Sequence, residues 1–287
     1  MFKKIATTAL IMGLALPSVS QAAKVKIGFI NTITGAEAPI GENLTNGVTM
    51  AIEDLKKKGI EVDLTKEDDT GKPEKSLAAF EKLATRDNVA GVVGPYTSAC
   101  SSAVASQADK YKVPILIPAA AKEDITRKGY KFVFRLNAPA DVYSSVLMDA
   151  VLTLDKPKTI AYIYESTDFG TSTVNTAKQY AKRLGIQEVA DEKYQKGAPD
   201  FRSTLSKIKS KNPDLVFMVS YVVDAITLMR QSKEIGLAPK AFLGGGAGFT
   251  NQNNHPMLVQ QVQGNKYETI YPPKFATKKP VYPFKWK

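Results

Sequence analysis

Ser98 stands where a short apolar strand, VAGVVG, has ended in Gly94-Pro95 and a helix, SACSSAVASQADKY, is about to begin. A helix start carries free N–H groups and the positive end of the helix dipole. A serine hydroxyl beside them makes that spot a seat for a carboxylate or phosphate. The same hydroxyl could serve only as a cap on its own helix. Two residues on is Cys100, the one cysteine of the chain. A thiol near a helix start can become reactive, but cysteine is among the most buried residue types, and a small buried side chain is the reading adopted. The single histidine, His255, lies in the polar run NQNNHP. One Cys and one His leave no zinc cluster of usual ligand count. A Ser-His-Asp or Cys-His arrangement would have to use His255, and no G-x-S-x-G elbow accompanies it. The run GGGAG is followed by no helix, so it is not a dinucleotide fingerprint, and no G-x-x-x-x-G-K-[ST] loop occurs. Neither a catalytic centre, a metal nor a cofactor is expected. The chemistry on offer is binding.

The elements that must position this seat alternate. VKIGFI reads as a buried strand, and Leu44, Val48, Ile52 and Leu55 then share one helical face. Gly59 ends that helix, IEVDL is the next strand, and Pro73 opens a helix with Leu77, Phe80 and Ala84 inward. The βαβ unit around Ser98 follows, with the second strand in VPILIP, and then FVFRL. Beyond the crossing segment NAPADVY the pattern restarts: helix 140–154, strand TIAYIY, helix 170–184, strand IQEVADEKY, helix 199–211, strand DLVFMVS, helix 222–236 and strand AFLGG. The expected fold class is α/β, with two doubly wound, mainly parallel βα lobes around a cleft. Open sheets of this kind bind ligands at the carboxyl edge of their strands, where Ser98 lies. After the glycines the alternation fails. A hairpin, MLVQQVQ-GN-KYETIYP, is expected over 257–271, turned at Gly264-Asn265, and then a Pro- and Lys-rich tail.

The N-terminus reads as a cleavable export signal over 1–22. Lys3 and Lys4 precede the apolar run IATTALIMGLAL, Pro17 breaks it, and Ser20 and Ala22 supply small residues for cleavage after Ala22. The run is shorter than the ~20 residues a membrane span needs, and no cysteine follows Ala22 to accept a lipid. The expected chain boundaries are therefore 1–22 signal, 23–136 first lobe, 137–250 second lobe, and 251–287 hairpin and tail. The net charge is +11, but residues 251–287 alone carry six lysines against one acidic residue. Elsewhere acids and bases are interspersed, which argues against a nucleic-acid partner.

With these elements in place, the chain resembles the type I periplasmic solute-binding proteins of ABC importers, in the branched-chain amino-acid and amide branch. The resemblance covers about residues 24–250 and again the tail. It rests on VKIGFINTITGAEAPIGENLTNGVTMAIEDL, on EDDTGKPEKSLAAFEKLATRDNVAGVVGPYTSACSSAVA and on VPILIPAAAKEDITRKGYKFVFRL. IYESTDFGTS, PDLVFMVSYVVDAITLMRQSKEIG and AFLGGGAGFT extend it. It implies a protein that holds a small ligand between two hinged lobes and hands it to an inner-membrane permease. It further implies a monomer, a periplasmic location and no enzymatic turnover. Ser98 matches the serine whose hydroxyl and following amides hold the ligand carboxylate. Ala119 and Ala121 match positions that contact the ligand through backbone groups. Phe169 and Tyr221 match contacts from the facing lobe, and Ile40 a wall residue.

Two family features are absent. At Ala121 the family often has a threonine that helps hold the ligand ammonium, and Gly246 falls where some amino-acid binders carry an acidic partner. Both losses count against an α-amino acid. Asp224 could substitute or simply face solvent. The expected ligand is a small, partly apolar carboxylate: an amino acid, branched-chain first, or a related amide or organic acid. The family's second lobe also continues past GGGAGFT. At about 30 residues per βαβ unit, something on the order of 100 residues is missing. The expectation is an internal deletion near Gly248–Asn251, with a weak or non-binding product as one alternative reading and an exported α/β enzyme as the other.

Overall fold

The computed structural model describes residues 24–245, 259–263, 266–271 and 273–281. The export signal with its cleavage point, Gly246, the junction at Gly248–Asn251, His255 and the hairpin turn Gly264-Asn265 lie outside the described residues.

The first half alternates β1 (Val25–Asn31), α1 (Ala38–Lys57), β2 (Val62–Asp68), α2 (Pro73–Thr85), β3 (Gly91–Val93), α3 (Ser98–Tyr111), β4 (Ile115–Ile117), the short α4 (Asp124–Arg127) and β5 (Val133–Arg135). The second runs α5 (Ala140–Leu152), β6 (Thr159–Glu165), α6 (Asp168–Arg183), β7 (Gln187–Tyr194), α7 (Arg202–Ser210), β8 (Leu215–Val219), α8 (Val222–Glu234) and β9 (Ala241–Gly245). They build two sheets, β2-β1-β3-β4-β5 and β7-β6-β8-β9. Every pairing within both sheets is parallel, as the expectation of doubly wound βα units requires. A separate antiparallel hairpin joins β10 (Val259–Gln263) and β11 (Lys266–Tyr271), in the expected place.

The strand TIAYIY shows why the central strands are apolar throughout. Residues alternate between the two faces of a strand. Ile160 and Tyr162 enter one buried cluster, with Val174, Ala177 and Phe217. Ala161 and Ile163 enter another, with Phe201, Leu205, Ile208 and Leu228. A strand covered by helices on both faces has no polar side to show. In the first sheet Ile30, Phe80, Leu83, Val104, Ile115 and Ile117 close a third cluster, each of them fully buried.

Several boundaries move from expectation for local reasons. The helix expected at 170–184 starts at Asp168 because Thr167 caps it, its hydroxyl accepting the Gly170 N–H at 3.1 Å. The helix expected from 199 begins at Arg202, with Phe201 at its cap position and the Asp200 carboxylate accepting the Arg202 N–H at 2.9 Å. The apolar stripe of α1 is only half covered, with Leu44, Val48, Ile52 and Leu55 of intermediate exposure. Asp224, which could have faced solvent, is instead buried, and its carboxylate accepts the Gly197 N–H at 2.9 Å.

Candidate functional site

All loops that follow β1, β3 and β4 leave the first sheet at its carboxyl edge, and those after β6, β7 and β8 leave the second sheet likewise. The two edges meet. Tyr96, Ala119 and Ala121 of the first sheet's loops belong to the same buried cluster as Phe169, Val219 and Tyr221 of the second.

Gly94 lets the β3–α3 turn form. It has φ of +105°, and a Cβ there would sit 1.8 Å from the Ile30 carbonyl oxygen. The turn then delivers Thr97 and Ser98. Thr97, not Ser98, is the cap of α3: its side chain accepts the Cys100 N–H at 3.2 Å. Ser98 is thereby released from capping its own helix. It is 1% exposed, and its Oγ accepts the backbone N–H groups of Ala121 at 3.2 Å and Lys122 at 3.3 Å. A hydroxyl has two acceptor lone pairs and one proton to donate. Both lone pairs are used by the protein, so the proton is the part of Ser98 left to offer a carboxylate. The Ser98 and Ala99 N–H groups, which a helix cannot satisfy internally, lie beside it.

The 119–122 loop is held from several sides. The Asn137 amide donates to the Ala119 carbonyl, Ala140 N–H donates to the Ala121 carbonyl at 2.9 Å, and the Arg135 guanidinium donates to the Lys122 carbonyl at 2.7 Å. The Ala119 carbonyl and both backbone groups of Ala121, expected to face a ligand, thus already have partners inside the protein. Ala121 is fully buried, with no hydroxyl.

From the opposite edge, Phe169 occupies the second position of α6 and Tyr221 caps the start of α8 with its backbone. Their ring centroids are 5.4 Å apart, and the Tyr96 ring approaches Tyr221 edge-on at 5.9 Å. Ile40 is half-buried and packs against the same cluster. The structure therefore brings Ser98, Ala119, Ala121, Phe169, Tyr221 and Ile40 into one place, at the meeting of the two edges.

Five polar groups at this junction escaped the sequence reading. Glu165, at the end of β6, is fully buried. Its carboxylate accepts the Thr167 hydroxyl at 2.6 Å and the Tyr221 N–H at 3.2 Å. Burial pushes its carboxyl up to about 7, against the pull of those two donors and of Lys196. Glu37, at the start of α1, is buried and pairs with Lys196 from the β7–α7 loop. Lys196 Nζ also lies over the Tyr221 ring, 4.6 Å from its centroid. Lys122 and Asp168 form a second ion pair between the two edges, at 2.7 Å. Burial raises the phenols of Tyr96 and Tyr221, with the nearby carboxylates of Glu37 and Glu165 adding to it, so both stay neutral at physiological pH. In the sequence, Lys196 sits in the polar run QKGAPD and Glu37 follows a glycine turn, and neither position carries a local signal of burial.

The arrangement offers hydrogen-bond donors, aromatic walls and compensated charges. Among the described residues no group of three or more His, Cys, Asp or Glu side chains could hold a metal ion. Cys100 is fully buried, and burial pushes its thiol up to about 11, which makes it the inert small side chain expected. No described helix is long and apolar enough to cross a membrane.

Comparison with known proteins agrees with this geometry. The Leu/Ile/Val-binding protein homolog 7 of Brucella abortus is 26% identical over 241 residues, covering 80% of this chain and 60% of that protein. The Leu/Ile/Val-binding protein BraC3 of Rhizobium johnstonii is 30% identical over 252 residues, covering 86% of this chain and 68% of that protein. A crystal structure of a leucine binding protein, LivK, from Thermotoga maritima superposes with a TM-score of 0.67 at 26% identity, over 74% of this chain and 61% of that one. The chain thus spans about three fifths of the length of the Brucella relative that it matches. Two parallel βα units meeting at their carboxyl edges, with the match to the periplasmic binding protein family over residues 24–276, lead to one assignment: the chain belongs to the periplasmic binding protein family.

Proposed function

We propose that this chain is the substrate-binding component of an ABC-type importer. It captures a small carboxylate-bearing solute between two lobes, 23–136 and 137–250, and delivers it to an inner-membrane permease without chemical turnover. The solute class is an amino acid, branched-chain first, or a related amide or organic acid. The observation that carries this reading is the Ser98 hydroxyl, buried between the sheet edges with both lone pairs engaged and its proton free to meet a carboxylate. The aromatic walls Tyr96, Phe169 and Tyr221 suit a partly apolar body. The names of the relatives, Leu/Ile/Val-binding proteins, support the same class. A thermal-shift panel of amino acids, amides and aromatic acids, followed by calorimetry, tests it. No stabilisation by any carboxylate would refute it, and turnover of a bound compound would move the assignment to an enzyme.

The protein acts in the periplasm as a monomer after removal of residues 1–22. N-terminal sequencing of exported material should start at Ala23, and retained Met1 would contradict this.

A second reading is favoured by one specific feature. Val222, Val223 and Ile226 of α8 are 43%, 53% and 63% exposed, and among the described residues the edge strand β9 pairs only with β8. In this reading an internal deletion near Gly248–Asn251 removed the βα units that cover this region, leaving a product of weak or no binding. Sequencing of the locus and of close paralogues decides it, and the absence of any longer relative containing both flanks would end it.

A further inference from the structure

The Glu37–Lys196 pair is lopsided in a way that points to a use. Both side chains come from loops at the carboxyl edges, Glu37 from the first sheet and Lys196 from the second. The Glu37 side chain is 5% exposed and that of Lys196 is 32% exposed. The acid is therefore dry and fixed, while the base reaches in from the solvent side on a flexible stem. The acid's place is prepared by its own unit. Its backbone carbonyl accepts the Ile40 and Gly41 N–H groups at 3.0 Å as α1 begins, and its Oε2 lies 3.2 Å from where a Cβ at Gly71 would be. Any side chain at position 71 would crowd the carboxylate.

What the Lys196 ammonium meets there is a carboxylate on one side and the face of Tyr221 on the other, 4.6 Å from the ring centroid. A carboxylate with an aromatic face is the combination that holds an organic ammonium. The Tyr96 ring, edge-on to Tyr221, walls the same space. The occupant is a lysine, whose ammonium is compact and strongly hydrated and so returns to water readily. Leaving needs only its side chain to move, because the neighbouring backbone is anchored by the Gly197 N–H to Asp224 at 2.9 Å.

We propose that Glu37 and the face of Tyr221 are the seat for a cationic nitrogen of the captured solute, and that the Lys196 ammonium keeps this seat until such a solute displaces it. The inference rests on the capture reading above and narrows it: the solute carries both a carboxylate, met at Ser98, and an ammonium, met at Glu37. The nitrogen is then recognised by Glu37 from the first sheet's side with Tyr221 from the second, and not at Ala121, Gly246 or Asp224, the positions considered for an ammonium from the sequence.

Matched probes test it. Leucine and 4-methylpentanoate share a carbon skeleton, as do phenylalanine and 3-phenylpropanoate, and each pair differs by the amine. Calorimetry on the full chain gives the ratio of amino to desamino affinity in wild type, Lys196→Met and Glu37→Gln. Lys196→Met keeps most of the apolar stem but leaves Glu37 without its resident cation, so the ratio should rise about tenfold. Glu37→Gln should bring the ratio down by about tenfold or more, because the seat loses its charge. Circular dichroism of both variants identifies a folding failure. Should Glu37→Gln not fold, the rise in Lys196→Met decides alone. A ratio unmoved in the folded variants overturns the inference while carboxylate binding leaves the capture reading standing. Wild-type protein that binds none of the four probes overturns the inference, and no stabilisation by any carboxylate of the wider panel overturns the capture reading as well.

Discussion

Tyr96 and Tyr221 stand on loops of different sheets, yet their ring centroids lie 5.9 Å apart with the planes inclined at 60°. The contact is an edge-to-face aromatic pair, the geometry that the ring quadrupole favours, and it is buried. It joins the two carboxyl edges where Ser98 and Glu165 lie. Such pairs are worth ~0.5–1.5 kcal/mol beyond the area they bury. A double-mutant cycle of Tyr96→Leu and Tyr221→Leu in urea unfolding should therefore give a coupling of about 1 kcal/mol. Strict additivity would mean that the two edges do not hold this approach in solution.

Ser98→Ala removes the hydroxyl proposed to donate to the carboxylate, and with it the acceptor for the Ala121 and Lys122 N–H groups. Affinity for carboxylate solutes should fall by roughly 1–3 kcal/mol. Titration calorimetry reads the change, and unaltered affinity would take Ser98 out of the site.

Glu165 makes stability fall as pH rises. Its carboxyl, ordinarily at 4.5, is pushed by burial up to about 7 in the folded protein. Between those values the folded chain holds a proton that the unfolded chain has lost, so the unfolded state binds fewer protons and stability declines with pH. Below about 4.5 the effect vanishes, and above about 7 it is complete, on the order of 3 kcal/mol. In Glu165→Gln the slope of the unfolding free energy from pH 4.5 to 7 should flatten. The slope is the readout, because an amide N–H replaces one of two acceptors used by Thr167 and Tyr221. An unchanged slope would assign the titration to another group.

The Lys122–Asp168 ion pair joins the same two edges, but its side chains are 25% and 41% exposed. Exposed pairs contribute ~0.2–1 kcal/mol and are screened by salt. Asp168→Asn should accordingly cost under about 1 kcal/mol at low ionic strength and less in 0.5 M salt, by urea unfolding. A larger loss would show that the pair is shielded from water in solution.

The second sheet should be the less stable half. Among the described residues its edge strand β9 pairs only with β8, and the apolar residues Val222, Val223 and Ile226 of α8 are exposed. Local opening follows where few apolar contacts oppose it. Hydrogen exchange should show residues 186–245 exchanging faster than 89–136. Equal protection, together with sub-micromolar binding, would rule out the weakened-product reading.

The sequence by itself determined the order of elements, because apolar periodicity reports which faces a helix or strand must bury. TIAYIY reads as a strand buried on both faces, and the structure divides its residues between two clusters. The helix start at Ser98 was legible for the same local reason: a turn, a hydroxyl and then an apolar 3.6 period. Which of two adjacent hydroxyls caps that helix was not legible, since Thr97 and Ser98 are chemically equivalent candidates. Only the packed turn, which puts the Ala121 and Lys122 N–H groups against Ser98, left the cap to Thr97. Still less could the sequence show that Glu37 and Lys196 would meet, or that Asp224 would be buried on the Gly197 N–H. A charged residue in a polar loop looks solvated until a distant partner compensates its burial. That partner is supplied by the approach of two sheet edges, and local periodicity carries no record of it.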